Sequence, residues 1–482
     1  MVETEKSHPL TFIEAVTPVA GLIMLVALSY YLFGDEGASG PNQVALVVAT
    51  MIAVIVARRR GFTLEELGNA AVSSVSSGIG AIFILFAVGA LIGTWALSGT
   101  LIAMIYYGLL LLDPNYFYMT ATAICAVISF GIGSSWTVVG TIGIGLIGIS
   151  ANMELDPAIT AAAVISGAYF GDTTSPLSDS ANLAAGGADA NLYDHIRETM
   201  PTSIVALALA LAVFWFLGRS GSYDASEKMA AIENAFHISP ILFLPLIVVI
   251  ALALFKWPPF TTIFVGALVG GIMAVIMAPD RVTEFADARE GVPHGLALVK
   301  GVWLALAGGY VSTSGNAMLD ELATRGGMSS MLDTIWLVIT AFAFGGVVEK
   351  AGILIRLISP IINIAKSIGS LVASLVTAVF ATNIATADQY LAIVLPSRML
   401  KTEFERRGFA PVVLSRSIGA SATPTSALIP WNSCGAYMAA TLGVSTFSYF
   451  PYAVFNFASP LLAIIAAAIG FRVLRAPSAS TQ

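Results

Sequence analysis

The stretch Ser166–Gly187, SGAYFGDTTSPLSDSANLAAGG, decides how the rest of the sequence is interpreted. It contains two carboxylates, Asp172 and Asp179, and its flanks are apolar enough to span a bilayer. A carboxylate at membrane depth costs several kcal/mol unless it faces a partner or water, so it indicates a functional site. Pro176 interrupts the helix, and irregular backbone at that depth occurs where it lines a cavity or is buried in protein. The stretch therefore predicts an ion site.

The composition is that of a polytopic membrane protein. Of 482 residues, 57% are hydrophobic and 11% are charged, and the mean hydropathy is +0.86. The polar start of the chain is followed by a long apolar run without a cleavage site, so we expect no cleavable signal peptide. The two cysteines, Cys125 and Cys434, are far apart and support neither a disulfide framework nor a metal cluster. The sequence has no basic stripe that would indicate nucleic-acid binding.

Lysine and arginine residues in short loops predict the orientation in the membrane. The arginines at 58–60 follow the second apolar run, whereas Asp35 and Glu36 lie between the first two runs. We therefore expect the N-terminus in the cytoplasm. If each of the fourteen apolar runs crosses once, the C-terminus is cytoplasmic as well, although two runs in each half are irregular. We place the long segment 279–327 outside and expect an interfacial or partly inserted helix near 294–309.

The two halves of the sequence resemble each other, which predicts a first repeat at 1–237, with spans at about 11–217, and a second at 238–482, with spans at about 238–471. An odd number of segments separates the matching stretches, so we expect the repeats to be inverted, with the site at their interface. The matches are FAVGALIG at 86–93 with FAFGGVVE at 342–349, Gly99 with Gly352, and GDTTSPLS at 171–178 with GASATPTS at 419–426, at offsets of 256, 253 and 248.

Polar residues interrupt the apolar runs at four places, near Ser134, Asp172, Asn383 and Thr425. Their hydroxyl, amide, carboxylate and freed carbonyl oxygens are the ligands that a hard cation such as Na⁺ prefers. These breaks contain no lysine or arginine, which favours a cation over an organic anion, although half-helix N-termini can also bind a carboxylate. We expect the four breaks to converge at the middle of the membrane.

Proton transport in such a site would depend on carboxylates, because the sequence places the four histidines outside the spans, at positions 8, 195, 237 and 294. A buried aspartate can titrate near neutral pH when burial raises its pKa. If one aspartate holds either a proton or Na⁺, but never both, the competition couples the two fluxes. The alternative for Asp172 and Asp179 is helix capping, and for Asp388 a hydrogen-bonded structural role. Ser134 could bond back to helix carbonyls.

The strings ISGAYFGDTTSPLSDSANLAAG, ATNIATADQYLAIVLPSRML and SALIPWNSCGAYMAATLGV resemble the NhaC family of Na⁺/H⁺ antiporters, within the ion-transporter superfamily. The resemblance runs from about residue 70 to residue 460. It implies coupling to Na⁺ and protons. The family that the chain resembles also includes exchangers that move malate with protons against lactate with Na⁺. The family more often has a lysine after the GD pair, where this chain has Thr173.

These observations predict an all-α polytopic membrane protein with two inverted structural repeats and broken or re-entrant helices. The predicted function is a secondary active antiporter that exchanges Na⁺ for H⁺ by alternating access. Asp172, Asp179 and Asp388 are the candidate ligands for Na⁺ and for the proton. The candidate oxygen ligands are Thr173, Ser175, Asn182, Ser134, Asn383, Thr386, Thr425 and Asn432.

The nearest alternative is a Na⁺-coupled organic-anion exchanger on the same scaffold, for malate and lactate or for amino acids. An aspartyl hydrolase is disfavoured because Asp172 and Asp179 lie on one segment, whereas a shared-proton dyad needs two; we expect no enzyme. A channel is disfavoured because the polar residues cluster at breaks. We expect no cofactor, a multi-pass location in the cell (inner) membrane among lipids, and Na⁺ and H⁺ as partners, with a homodimer left open.

Overall fold

The computed structural model describes residues 10–218, 226–313, 320 and 323–476. His8 lies outside these residues. His195, which the sequence placed outside the spans, is instead buried within the helix Leu192–Phe216, which is long and apolar enough to cross a membrane. The described part of the chain is helical and contains two isolated β-bridges but no strand. The all-α class predicted from the sequence is therefore confirmed.

The helices of the first half follow one another with short connections. They are α1 Phe12–Phe33, α2 Pro41–Arg59, α3 Leu64–Ser77, α4 Ile79–Ser98, α5 Thr100–Leu111, α6 Phe117–Ile132, α7 Ser135–Asn152, α8 Pro157–Thr174, α9 Asp179–Gly187 and α10 Leu192–Phe216.

The second half contains a similar series. It consists of α11 Ser226–Ala235, α12 Pro240–Leu254, α13 Pro259–Met277, α14 Pro279–Ala286, α15 His294–Gly308, α16 Met328–Lys350, α17 Ile353–Ile364, α18 Ile368–Thr386, α19 Gln389–Arg406, α20 Pro411–Ser426, α21 Ser433–Leu442, α22 Thr446–Tyr452 and α23 Val454–Ala468.

Within the described residues, 8 helices are long and apolar enough to cross a membrane, or up to 9 if the bent pair α22 and α23 is one span. This finding identifies a multi-pass membrane protein. Several of the fourteen apolar runs correspond to shorter helices such as α5 and α12. Helix length alone therefore does not give the number of crossings, and the inverted orientation of the repeats and the cytoplasmic termini stay predictions.

The series from α4 to α10 recurs from α16 to α23 with a nearly constant offset. Residues with a left-handed backbone recur 253 or 254 positions apart, at Gly99 and Gly352, Gly133 and Ala387, Glu154 and Gly408, and Asp189 and Gly443. Helix N-caps also recur 254 positions apart, in the pairs Ser134 and Asp388, Ser178 and Asn432, and Asn191 and Ser445. Because both kinds of position fix where a helix starts or ends, the two halves share one backbone plan.

This offset corrects the alignment of the second pair of breaks. The sequence match paired Pro176 with Pro424, but α20 continues through Pro424 to Ser426. Pro424 cannot donate to the carbonyl of Ala420, and Ser459 donates its hydroxyl to that carbonyl instead, at 2.8 Å. The helix therefore tolerates Pro424, and the break falls at 427–432, where Pro430 lies 254 residues after Pro176.

The first helices of each half pack on the other half. α2 and α3 contact α16, whereas α13 and α15 contact α4, which is the counterpart of α16. The non-helical chain after α15 also lies on α4, where the Gly327 amide donates to the Gly89 carbonyl at 2.7 Å. Helix α15 coincides with the helix expected near 294–309, and its depth in the membrane stays a prediction. The reciprocal contacts join the two halves of the molecule.

Candidate functional site

Two breaks of the first half touch each other at the centre of the molecule. Gly133 ends α6 with φ +78°, and a Cβ there would lie 2.6 Å from the carbonyl carbon of Leu177 and from the nitrogen of Ser178. Only a glycine permits this approach without displacing backbone. Ser134 and Ser178 then cap α7 and α9 by accepting from the amides of Thr137 and Ala181. The N-termini of two half-helices therefore meet near the end of α8.

Asp172, near the C-terminal end of α8, receives the side chains that this crossing brings together. Ser135 donates its hydroxyl to Asp172 Oδ2 at 2.6 Å. Ser178 and Ser180 donate to Oδ1 at 2.8 and 2.7 Å. The Asp172 side chain is 7% exposed, and no lysine, arginine or histidine forms an ion pair with it among the described residues. Three hydroxyl groups thus stabilise its negative charge without neutralising it.

Asp172 was among the candidate ligands predicted from the sequence, but its three donors were not. Ser135 is the neighbour of the candidate Ser134, and Ser178 and Ser180 flank the candidate Asp179. The polar character of each break was therefore visible in the sequence. Which hydroxyl faces the carboxylate depends on how the two breaks dock, because Ser135 and Asp172 are 37 residues apart.

The second half places a related cluster at the equivalent positions. Residues 254 positions after Ser135, Asp172 and Ser180 are Gln389, Ser426 and Cys434. Cys434 donates its thiol to Gln389 Oε1 at 3.1 Å, and the Ser426 hydroxyl lies 2.9 Å from the same oxygen. The two breaks of this half also touch, since the Ser433 amide donates to the Ala387 carbonyl at 2.9 Å. This copy of the cluster carries no charge.

A cavity of about 790 Å³ lies between the two clusters. Its walls come from α3, α4, the four breaks, the start of α10 and the loop between α12 and α13. Asp172 and Cys434 are buried at its inner end, whereas Asp179, Tyr193 and Lys256 are exposed. The cavity thus leads from the surface to the Asp172 cluster.

Five of the eleven candidate residues line this cavity: Asp172, Asp179, Asp388, Ser134 and Asn182. Asp388 caps α19 by accepting from the Leu391 amide at 2.8 Å, and it is nearly buried. Asp179 is in the first turn of α9, where a carboxylate is favoured by the helix dipole. The capping role proposed for Asp179 belongs to Ser178, whereas Asp388 both caps a helix and faces the cavity.

The other six candidates do not line the cavity. Thr173, Thr386 and Thr425 bond back to the carbonyls of Tyr169, Thr382 and Ser421. The Ser175 hydroxyl accepts from the Leu177 amide at 3.1 Å and shapes the turn. These side chains hold the backbone of the breaks in place.

Asn383 and Asn432 form a buried network behind the cavity. Asn383 donates to the hydroxyl of Thr425 at 3.0 Å and to the carbonyl of Ala422, and Asn432 donates to Asn383 Oδ1 at 3.1 Å. This network joins the ends of α18 and α20 to the start of α21. Its contacts support a positioning role for these two amides.

The three aspartates do not share one coordination sphere. In the described part of the chain, no group of three or more histidine, cysteine, aspartate or glutamate side chains is arranged to hold a metal ion. A cation bound at Asp172 would therefore depend on the serine hydroxyls for its remaining oxygen ligands. The role of each candidate residue in binding stays a prediction.

The Na⁺/H⁺ antiporter family matches residues 167–471, which include the Asp172 cluster and its copy. The chain is 33% identical to the Na⁺/H⁺ antiporter NhaC of Alkalihalophilus pseudofirmus, over 89% of this chain and 90% of that protein.

Other relatives are named as antiporters of different molecules. The chain is 34% identical to the malate-2H⁺/Na⁺-lactate antiporter of Bacillus subtilis, over 93% of this chain and 92% of that protein. It is 31% identical to the arginine/ornithine antiporter ArcD of Halobacterium salinarum, over 96% of this chain and 93% of that protein. Antiport is thus common to these relatives, whereas their cargo differs.

Proposed function

The chain belongs to the Na⁺/H⁺ antiporter family, and on that premise we propose that it exchanges Na⁺ for H⁺ at Asp172 by alternating access. The observation that carries the proposal is the buried Asp172 carboxylate, which accepts hydrogen bonds from Ser135, Ser178 and Ser180 at the inner end of the cavity. A carboxylate in this setting can hold a proton or a cation.

The serine hydroxyls make the exchange possible because a hydroxyl is both a donor and an acceptor. When Asp172 is ionised and no cation is bound, the three hydroxyls donate to it. When Na⁺ arrives, the same hydroxyls turn their protons away and present oxygen atoms to the cation. When a proton arrives, it occupies a carboxylate oxygen and removes the charge that holds Na⁺. Occupancy by one ion therefore excludes the other, and the two fluxes are coupled.

Asp179 and Asp388 have different proposed roles. Asp179 is exposed in the cavity and seven residues after Asp172, so it attracts cations and passes protons towards the deeper carboxylate. Asp388 caps α19 and contributes negative charge from the second repeat. Both carboxylates raise the local cation concentration in a narrow cavity.

The orientation of the cavity follows from the distribution of positive charge. Lys256 and Arg197 lie on the side that the arginine and lysine pattern assigns to the cytoplasm. We therefore propose that the cavity is open to the cytoplasm in this structure. When the two repeats exchange their conformations, the cavity opens to the opposite face of the membrane. The cell membrane is the proposed location, and a transporter, not a hydrolase, is the proposed class.

A Na⁺-coupled organic-anion exchanger is the second candidate. It is favoured by Lys256, which lines the cavity and could attract a carboxylate, and by the malate/lactate antiporter among the relatives. The carboxylates of the cavity outnumber this lysine, which favours cation exchange.

The test is transport in proteoliposomes that contain a pH-sensitive dye. NaCl is added without any organic anion, and the measurement is repeated with Asp172→Asn. We expect Na⁺-driven proton movement that the substitution abolishes. If protons move only after lactate, malate or an amino acid is added, the organic-anion exchanger replaces this proposal.

A further inference from the structure

The cavity is much larger than an alkali cation needs. Its volume of about 790 Å³ falls within the range of roughly 300–1,000 Å³ that is usual for small-molecule sites. A bare Na⁺ ion bound at Asp172 would occupy only the inner end. The remainder of the cavity has room for a second kind of cargo.

Negative charge dominates these walls. Asp172, Asp179 and Asp388 line the cavity, and Lys256 is the one basic residue among its lining residues. Lys256 is exposed, in the loop between α12 and α13, whereas Asp172 and Asp388 are buried. An organic molecule that reaches the inner end therefore meets a field that favours a positive charge.

Aromatic residues also line the cavity. They are Trp136, Tyr193, Trp257, Phe342 and Tyr390. Trp136 is stacked on Tyr437 with ring centroids 4.0 Å apart, and this contact fixes its ring plane. Rings of this kind attract ammonium groups through their negative faces, and aromatic residues near carboxylates are a common solution for binding quaternary ammonium groups.

We infer that the cavity also binds organic ammonium ions of up to about amino-acid size, in competition with Na⁺. The ammonium group lies in the field of the carboxylates and against aromatic faces, and the organic part occupies the volume towards Tyr193 and Trp257. The inference rests on the proposed function only in that Na⁺ is the competitor. It concerns a cation, in contrast to the carboxylate cargo of the second candidate.

Choline is a suitable probe because its charge is fixed, and its neutral isostere 3,3-dimethyl-1-butanol has the same shape. The measurement is uptake of radioactive Na⁺ into proteoliposomes under an outward proton gradient. We expect choline to raise the Na⁺ concentration for half-maximal uptake at least about fivefold, without changing the maximal rate. The neutral isostere should have no such effect, since it lacks the charge that the carboxylates attract.

Two aromatic variants test the walls. Trp257→Leu and Tyr193→Leu should reduce the competition by choline several-fold while the response to Na⁺ alone stays within about twofold. Trp215→Leu is the matched control, because Trp215 is 51% exposed and Trp257 48% exposed, and Trp215 does not line the cavity. Equal competition by choline in all three variants would overturn the role of the rings.

A direct binding measurement separates this inference from the proposed function. Radioactive choline is bound to the purified full-length protein and displaced with NaCl. Choline binding without any Na⁺ transport would contradict the antiport proposal and leave the inference intact. Na⁺ transport without choline binding would overturn the inference, and competition by lactate but not by choline would replace it with an anion site.

Discussion

The break between α8 and α9, at 172–180, and its copy at 426–434 have the same backbone plan but differ in charge. In the first, a carboxylate accepts from three serines. In the second, the equivalent position holds Ser426, and the acceptor is the uncharged amide of Gln389. The fold thus supplies two equivalent positions, and the sequence places a carboxylate at only one of them.

The same rule holds for all three carboxylates of the cavity. The residues 254 positions away from Asp172, Asp179 and Asp388 are Ser426, Ser433 and Ser134. A serine preserves hydrogen bonding and helix capping where the carboxylate is absent. At these positions the two repeats therefore differ in the charge of the side chains and not in the course of the backbone.

The largest effect is expected from Asp172→Asn, which retains the shape and removes the charge. Na⁺/H⁺ exchange should fall at least about 100-fold, equivalent to about 2.8 kcal/mol, because the amide can neither be ionised nor hold a proton in exchange for Na⁺. The equivalent Ser426→Ala should change the rate about twofold or less. Both are measured as Na⁺-driven proton flux in proteoliposomes. Equal losses in the two variants would show that the repeats share the ion.

Gly133, where the two breaks of the first half cross, and its counterpart Ala387 both have a positive φ. Gly133→Ala should destabilise the protein by about 2 kcal/mol or more, because it places a side chain at positive φ and against backbone atoms. The counterpart Ala387 already has φ +58°, so Ala387→Gly should be nearly neutral. Thermal unfolding in detergent measures both. A neutral Gly133→Ala would refute the close approach described above.

The serine donors are expected to have an intermediate effect. Ser135→Ala and Ser180→Ala each remove one hydrogen bond to a charged group, worth about 1.5–3 kcal/mol. The Na⁺ concentration for half-maximal exchange should rise about tenfold. Cys434→Ala, at the position equivalent to Ser180, should change it about twofold or less. The kinetics of Na⁺-driven proton flux distinguish these outcomes, and a stronger effect of Cys434→Ala would assign the ion to the second repeat.

The smallest effect is expected at Asp388, where capping and charge can be separated. Asp388→Asn preserves an N-cap, whereas Asp388→Ala loses it at a cost of about 1 kcal/mol of stability. We expect Asp388→Asn to weaken Na⁺ affinity a few-fold while the unfolding temperature stays unchanged. Ser134→Ala, at the equivalent position, should lower stability alone. Unfolding and transport are measured on the same preparations, and unchanged Na⁺ affinity in Asp388→Asn would leave Asp388 a structural cap.

Much of this arrangement could be predicted from residue order. The hydropathy predicts the helical membrane protein, and Pro176 between two aspartates predicts the break after α8. The position of the equivalent break in the second half could not be predicted in the same way. Pro424 has the stronger sequence match, yet Ser459, 39 residues beyond Ala420, satisfies the carbonyl that Pro424 leaves free.

The candidate ligands show where sequence reasoning stops. Thr173 and Thr386 are polar residues in the predicted breaks, but each donates to the carbonyl four positions earlier within its own helix. A hydroxyl in a helix has this local partner whatever the tertiary structure. The donors to Asp172 instead lie at the N-terminal ends of helices: Ser178 is the N-cap of α9, and Ser135 and Ser180 are in the first turns of α7 and α9.

The sequence by itself determined the membrane class, the family, the existence of the breaks and the carboxylate at the first of them, because hydropathy, proline and charge act locally along the chain. The tertiary structure decided which oxygens surround Asp172. It did so because Ser135 and Asp172, 37 residues apart, meet only when Gly133 allows two breaks to cross.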